Sequence, residues 1–342
     1  MKHLFQKRLH SFQKLSKQIT LLLENGGFDA AIKQQSMENK WFTEENCHFA
    51  LKALAMMTDE KSCKTFYEKY QQCFKNEHKP QNIAVISSGN IPCAAFHDFF
   101  CVLVSGNNYI GKLSSHDRLL LPFISKVLIE IEPKFAEKIA FVEKLPVYDK
   151  IIATGSNNSA RYFEYYFKNY PLLLRNNRNS IAILNGNESD EDLGNLSVDV
   201  FQYFGLGCRS VSKIFVPKNY NFSRLIEIFQ KESKLLSLHN GYMNNYDYNR
   251  AIFILNCMPV YDGASFLLLQ NSALSSPVSV IYYEEYEKIC DLPEKNQALK
   301  NDIQCVVSND YAIENHTAFG KTQYPSLFDY PDKEDILLFC IS

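Results

Sequence analysis

The feature that most constrains the fold lies between Asn82 and Leu184. Short apolar segments bounded by turn residues alternate there with longer amphipathic ones. Asn82–Ser87, Tyr109–Leu113, Lys138–Val142, Lys150–Ala153, Pro171–Leu174 and Ser180–Leu184 have strand length and apolar content, while Pro92–Val104, Leu119–Ile131 and Asn158–Phe167 read as helices. Strand, helix, strand at this pitch predicts a parallel sheet wrapped by helices, because parallel neighbours need a crossover and a helix supplies it. Ligands bind beyond the carboxyl ends of the strands in such sheets. The turns that follow the strands are therefore where chemistry is to be sought.

The flanking regions have different textures. Leu4, Leu9, Phe12, Leu15, Ile19 and Leu22 form a one-sided stripe that stops at Asn25-Gly26-Gly27, and Trp41–Met57 and Lys64–Phe74 predict two more helices. Lys75–Gln81 is a polar linker, so residues 1–80 are expected to be a helical region. The apolar part of Met1–Gly27 is short and lacks a small-residue cleavage site, so it reads as helix and not as a signal peptide. After the polar stretch Asn185–Asn195 a second unit is expected. It holds a strand at Ser212–Val216, helices at Ser223–Glu232 and around Tyr246–Asn256, and strands near Ser265–Leu269, Val278–Tyr283 and Ile303–Ser308.

Composition excludes several classes. A net charge of -2 over 342 residues argues against a nucleic-acid binder. No apolar run approaches the roughly 18 residues of a membrane span; Ala251–Leu255 and Ser265–Leu269 are core-sized. The ten cysteines form no Cys-x-x-Cys pair, which argues against a structural metal site, and their scatter suits a reducing, cytoplasmic setting.

Four segments sit where chemistry is expected. Ser88-Gly89-Asn90-Ile91-Pro92 closes the first strand; Asn90 is either a turn former or a side-chain amide donor to an oxyanion. Lys112, followed by Ser114 and Ser115, ends the second strand, either as a surface lysine or as a contact to a cofactor ribose or phosphate. Thr154-Gly155-Ser156-Asn157 opens a helix, where a side chain caps the helix, amides meet a phosphate, or both. Gly205-Leu206-Gly207-Cys208-Arg209 gives a cysteine small neighbours and an adjacent cation, which suits either a nucleophile or a buried structural thiol. Arg175 and Arg178 read as solvated charges or phosphate ligands. His239-Asn240-Gly241-Tyr242 reads as a capped helix start with buried tyrosines in preference to an entrance for substrate.

Taken in order, these segments resemble the aldehyde dehydrogenase superfamily over about residues 80–340. Ser88–Pro92 resembles its Trp-Asn-x-Pro turn, Gly106–Ser115 its Gly-Asn…Lys-Pro-Ser segment and Ala153–Ser156 its Phe-Thr-Gly-Ser turn; Gly205–Cys208 resembles its nucleophile loop and Phe319-Gly320 its Phe-Gly-Pro segment. Gly89-Asn90-Ile91-Pro92, Lys112-Leu113-Ser114-Ser115 and Phe319-Gly320…Gln323-Tyr324-Pro325 look most like its acyl-CoA reductases.

The resemblance implies an α/β fold of two lobes, each with a largely parallel sheet flanked by helices. A cofactor lobe is expected over 81–194 plus 311–342 and a catalytic lobe over 195–310. Cys208 would attack the acyl thioester carbonyl and Asn90 would help hold the oxyanion. Lys112, Ser114, Thr154, Gly155, Ser156 and Phe319 would bind NADPH, or NADH in its place. Asp117, close in sequence to Lys112, leaves that choice open. The implied partner is an acyl-CoA or an acyl-carrier thioester, and a homo-oligomer is compatible with the family. The chain ends soon after Phe319-Gly320, so the usual C-terminal bridging strand is expected to be missing.

Aldehyde-oxidising members carry a Glu as the base for thioester hydrolysis. The matching stretch here is Leu173–Ser180, and no acidic residue lies between Glu164 and Glu188. That favours reduction over hydrolysis. The alternatives are an acyl-phosphate reductase of the same superfamily and a non-catalytic relative of the fold acting as a binding protein.

Overall fold

The computed structural model describes residues 2–75, 79–155, 157–288, 292, 302–310, 313, 316–331 and 334–342. The chain divides into two compact units, Met1–Asn177 with Tyr324–Ser342, and Arg178–Gln323.

The first unit opens with α1 (Lys2–Glu24), α2 (Asp29–Glu38), α3 (Glu44–Met57) and α4 (Glu60–Tyr70). It continues with β1 (Asn82–Ile86), α5 (Phe96–Ser105), β2 (Asn108–Lys112), α6 (Leu120–Ile131), β3 (Ile139–Phe141), β4 (Lys150–Thr154), α7 (Asn157–Phe167) and β5 (Leu172–Arg175). The five strands form a wholly parallel sheet in the order β3-β2-β1-β4-β5. The apolar stripe of α1 is the reason the N-terminal helices are not a separate body. Phe5, Leu9, Phe12, Leu15 and Ile19 share one core with Ile83 and Val85 of β1 and Phe96, Phe99 and Phe100 of α5. Phe12 meets Phe100 edge-on at 4.9 Å, and Phe5 stacks on Phe74 at 4.0 Å. Each such side chain contributes about 1.5–3 kcal/mol by leaving water.

The second unit holds β6 (Asn179–Ile183), α8 (Asp190–Phe201), β7 (Val211–Pro217), α9 (Ser223–Glu232), α10 (Asn240–Leu255), β8 (Val260–Asp262), β9 (Leu267–Gln270), β10 (Val280–Tyr286) and β11 (Ile303–Val307). Its six-stranded sheet runs β11-β6-β7-β10-β9-β8, parallel except for the edge strand β8. The last helix, α11 (Ile336–Ile341), belongs to the first unit and packs Ile336, Leu337 and Cys340 into its core. Among the described residues no helix is long and apolar enough to cross a membrane.

The alternation read from Asn82 onward is recovered, with local differences along the chain; β8 and α11 were not expected, and α10 starts before Tyr246. Helix α2 was not expected, because only Ile32 and Gln35 of it are buried and it shows no stripe. Helix α8 starts inside the stretch read as a polar break. Ser189 and Asp192 form a capping box there, and the acids of its first turn suit a helix N-terminus. Helix α5 starts at Phe96 and not at Pro92, because Cys93 adopts φ +58° in an intervening turn. The units part between Asn177 and Arg178 and between Gln323 and Tyr324, so β6 and α8 lie in the unit that holds Cys208. Phe319, expected in the cofactor lobe, is in that unit as well.

Candidate functional site

Strands β2, β1 and β4 are neighbours in parallel register, with Ile86 paired to both Lys112 and Ala153. The turns that follow them therefore leave the sheet along one carboxyl edge. Asn90 and Lys112 are exposed on it, and Ser114 and Thr154 are half-buried. The turn after β1 lies directly on the turn after β2. Ser87 donates its N–H to the Lys112 carbonyl (3.2 Å) and the Ser114 N–H donates to Ser87 Oγ (3.2 Å). A Cβ on Gly89 would come within 2.3 Å of Ser114 Oγ and 2.7 Å of Ser114 Cβ, so the residue before Asn90 must be glycine for the two turns to meet.

The structure thus brings Asn90, Lys112, Ser114, Thr154 and Gly155 to one edge of one sheet. The Gly155 N–H is not presented to a phosphate; it donates to the Arg175 carbonyl (3.3 Å) and extends the β4–β5 pairing. Ser156 lies outside the described residues. Asp117, considered above as an acid beside Lys112, is 3% exposed and turned into the protein. An exposed ammonium, two hydroxyls and a side-chain amide at three adjacent strand ends are a donor set that suits the ribose and phosphates of a nicotinamide dinucleotide.

Arg175 is neither a solvated charge nor a phosphate ligand. It is 5% exposed and makes a bidentate ion pair with Asp98, 2% exposed, in the first turn of α5, with Nη1 to Oδ2 at 2.7 Å and Nη2 to Oδ1. His97, beside Asp98, is buried against the Leu327 carbonyl (3.1 Å).

In the second unit Cys208 is exposed on the turn that leads into β7. Three left-handed residues precede it: Tyr203 at φ +55°, Phe204 at +59° and Gly205 at +73°. The two aromatic positions each carry a cost of about 1–3 kcal/mol. Their buried side chains hold them there, Phe204 packing on His239 (4.3 Å) and Tyr242 (5.8 Å). His239 caps α10 by accepting the Tyr242 N–H at Nδ1 (3.0 Å), as the capped-start reading requires.

Downstream, the Cys208 carbonyl accepts from Ser180 Oγ (3.0 Å) and the Ser210 N–H donates to the Gly207 carbonyl (2.9 Å). Arg209, expected to favour a thiolate at Cys208, makes a backbone contact. Its Nε donates to the Thr322 carbonyl (2.5 Å), fastening the cysteine turn to the 319–322 loop.

That loop is organised by Asp199 of α8, which the sequence did not single out. Fully buried, it accepts the Gly320 N–H at Oδ2 (2.7 Å) and the Thr322 N–H (3.0 Å) and Oγ1–H (2.7 Å) at Oδ1. Burial raises its pKa, against the pull of these bonds. Gly320 sits at φ +75°, the left-handed region glycine tolerates. Phe319 itself is 5% exposed and packs in the core of this unit.

No family model matches the chain, and no curated protein matches it. Solved structures do. Aldehyde dehydrogenase 21 of Physcomitrella patens, in complex with the reaction product succinate, superposes with a TM-score of 0.63 at 12% identity, over 90% of this chain and 74% of that one. An NADP-dependent enzyme of E. coli gives 0.62 at 14%, over 90% and 74%. An NAD-dependent benzaldehyde dehydrogenase of Corynebacterium glutamicum gives 0.62 at 13%, over 90% and 77%. The chain thus has an aldehyde-dehydrogenase-like α/β fold, with a cysteine turn leading into a strand of one unit and an edge of polar turns on the sheet of the other.

Proposed function

We propose that this protein reduces an acyl thioester, in the form of acyl-CoA or an acyl-carrier conjugate, to the aldehyde at the expense of NADPH or NADH. The observation that carries the reading is where the acids are. In the segment that matches the base of the aldehyde-oxidising relatives the chain has Leu173–Ser180, and the charged residue at its start, Arg175, is consumed by Asp98. The next acid, Glu188, is 7% exposed and accepts the Asn185 (2.6 Å) and Gly186 (3.2 Å) amides. A base for water attack on an acyl-enzyme is not supplied from this segment, so an acyl group on Cys208 is better suited to reduction than to hydrolysis.

The family resemblance implies that Cys208, as the thiolate, would form a bond to the acyl carbonyl carbon and that the Asn90 amide would donate to the oxyanion. The bond to the CoA sulfur then breaks, and CoA leaves as its thiol after taking up a proton. Lys112, Ser114 and Thr154 would hold the ribose and phosphate portion of the dinucleotide, which when bound would supply a hydride for the acyl carbon. Collapse of the resulting hemithioacetal breaks the carbon–sulfur bond, restores Cys208 and releases the aldehyde. The NAD- and NADP-dependent structural neighbours support a nicotinamide cofactor of either kind. The burial of Asp117 removes one acid that would repel a 2′-phosphate at the edge.

The test is loss of NADPH and NADH absorbance with a panel of acyl-CoAs of short, medium and long chain. Turnover with at least one chain length, abolished in Cys208→Ala, is the expected result. No oxidation of either nicotinamide with any acyl-CoA, together with turnover of an acyl phosphate, would overturn the thioester assignment, and silence with both would favour a non-catalytic relative of the fold.

A further inference from the structure

One buried hydroxyl of the second unit reaches the cysteine turn through the sheet. Ser180 of β6 is fully buried, and the ladders on both sides of β6 shift register beside it. On one side Asn179 pairs with Ile303 of β11 but Ile181 with Val306; on the other Ser180 pairs with Val211 of β7 but Ile181 with Lys213. A bulge of this kind leaves backbone groups of the longer strand out of the ladder. The Ser180 side chain takes up one of them, its Oγ accepting the Cys305 N–H of β11 (3.1 Å). In the other direction the same Oγ donates to the Cys208 carbonyl (3.0 Å).

That carbonyl belongs to the peptide adjoining the proposed nucleophile. Gly207, Cys208, Arg209 and Ser210 form a β-turn closed by the Ser210 N–H on the Gly207 carbonyl (2.9 Å), so the Cys208–Arg209 peptide is its central one. The next two residues are anchored by their side chains. Arg209 Nε donates to the Thr322 carbonyl (2.5 Å), and Ser210 Oγ accepts from Gln323 Nε2 (3.2 Å). Ser180 holds the backbone next to the sulfur.

A peptide is planar and trans, so an oxygen aimed at Ser180 sends the Arg209 N–H the opposite way. Ser180 is buried and Cys208 is exposed, which makes the opposite way the side of the thiol. The N–H is the positive end of the peptide dipole, and a hydrogen bond to the carbonyl polarises it further. Were the peptide to turn over, its oxygen would face the side where negative charge resides on a thiolate.

We propose that Ser180 is a positioning residue for Cys208: its hydroxyl holds the Cys208–Arg209 peptide with the carbonyl turned into the sheet and the N–H toward the thiol. The inference rests on the nucleophilic role given to Cys208 in the proposed reaction. A thiolate beside the positive end of a dipole is favoured over the thiol, so loss of the Ser180 hydroxyl should shift ionisation of Cys208 to higher pH.

Alkylation of the full chain by iodoacetamide, resolved by peptide and followed from about pH 6 to about pH 10, tests this with Cys73 and Cys257 as references. In Ser180→Ala the midpoint for Cys208 should move to higher pH and its rate at pH 7 should fall at least about threefold, with the references unchanged. Ser180→Thr keeps the hydroxyl and Ser180→Val has the shape of threonine without it, so Cys208 should react faster in the Thr variant than in the Val variant. An unaltered or faster Cys208 in Ser180→Ala overturns the proposal, and so does a Val variant that matches the Thr variant. Should no variant fold, a crystal structure of the wild type decides: a Cys208 carbonyl bonded to Ser180 Oγ supports the assignment, and one turned away from it overturns it.

Acyl-CoA kinetics measured alongside separate the two readings. In an active enzyme Ser180→Ala should lower kcat at least about tenfold and leave KM within about twofold, since the hydroxyl acts on the nucleophile's backbone and not on substrate binding. A wild type without turnover whose Cys208 alkylation still depends on the hydroxyl overturns the reductase reading and supports Ser180 as the holder of the turn. Turnover that requires Cys208, with alkylation indifferent to the hydroxyl, overturns the Ser180 assignment alone.

Discussion

Replacing Asp199 by alanine removes a buried acceptor that three donors share: the Gly320 and Thr322 amides and the Thr322 hydroxyl. The hydroxyl can rotate, but both amides belong to a loop whose backbone is fixed by Gly320 at φ +75°. At about 1–3 kcal/mol per stranded buried donor, the two amides alone cost about 2–6 kcal/mol. Release of a buried carboxyl whose pKa burial has raised offsets part of that, so the expected net loss is about 3 kcal/mol.

Asp199→Asn should fall between. Its oxygen can keep Thr322, but its NH2 then faces the Gly320 N–H, one lost bond at about 1–2 kcal/mol. The consequence reaches the cysteine because Arg209 donates to the Thr322 carbonyl. Loosening the 319–322 loop frees the turn on which Cys208 sits.

Urea denaturation followed by far-ultraviolet circular dichroism reads the stability. Fluorescence of the single tryptophan, Trp41, reports the first unit as an internal control. Peptide-resolved alkylation distinguishes Cys208 from Cys73 and Cys257, the other exposed cysteines among the described residues. The order wild type, Asn, Ala should appear in stability, with a changed Cys208 alkylation rate and at least tenfold lower acyl-CoA turnover in the alanine variant. An alanine variant within about 0.5 kcal/mol of the wild type and an unaltered alkylation rate would refute the reasoning, since that is the range of an ordinary surface substitution.

Arg175→Leu leaves the Asp98 carboxylate buried without its guanidinium and should cost about 3–5 kcal/mol, whereas pairing it with Asp98→Leu should recover most of the loss; Trp41-monitored unfolding of the four members of the cycle gives the answer. Asp117, with its pKa raised from 3.8 to about 7, withdraws stability from the first unit as pH rises through that interval, by at most about 4 kcal/mol. Denaturation of the wild type and of Asp117→Asn at pH 5 and pH 8 should show the gap between them shift in favour of Asn at the higher pH. Gly89→Ala should destabilise the Asn90 turn by forcing Ser114 aside, and Gly89→Ala with Ser114→Gly should be closer to the wild type in acyl-CoA turnover than Gly89→Ala alone.

What was legible in the sequence was what is local. The strands β1, β2 and β4 and the turns after them announce themselves by apolar runs of four to six residues closed by Ser-Gly, Ser-Ser or Thr-Gly, and a parallel sheet then forces those turns onto one edge. The stripe of α1 was legible for the same reason, although nothing in it told that its partner would be α5 and β1.

The residues that were missed are acids whose meaning depends on distant donors. Asp98 meets a side chain 77 positions on, and Asp199 meets amides 121 and 123 positions on. In sequence, Asp199 stands in an apolar-spaced helix and Asp98 beside a histidine, and both look like ordinary solvated charges. Asp117 was noticed only for its closeness to Lys112, and the sheet turns it inward by placing β2's following loop against α2. Of these, Asp199 fixes the loop that carries Phe319 and Gly320 and, through Thr322 and Arg209, the turn of Cys208. In this chain the residues to which the proposed chemistry is assigned are marked by local motifs, while those that hold their turns are marked only by the fold. Substituting the former should abolish turnover with the structure intact, whereas substituting the latter should lower turnover and stability together, and that pairing of readouts is how the two kinds are told apart at the bench.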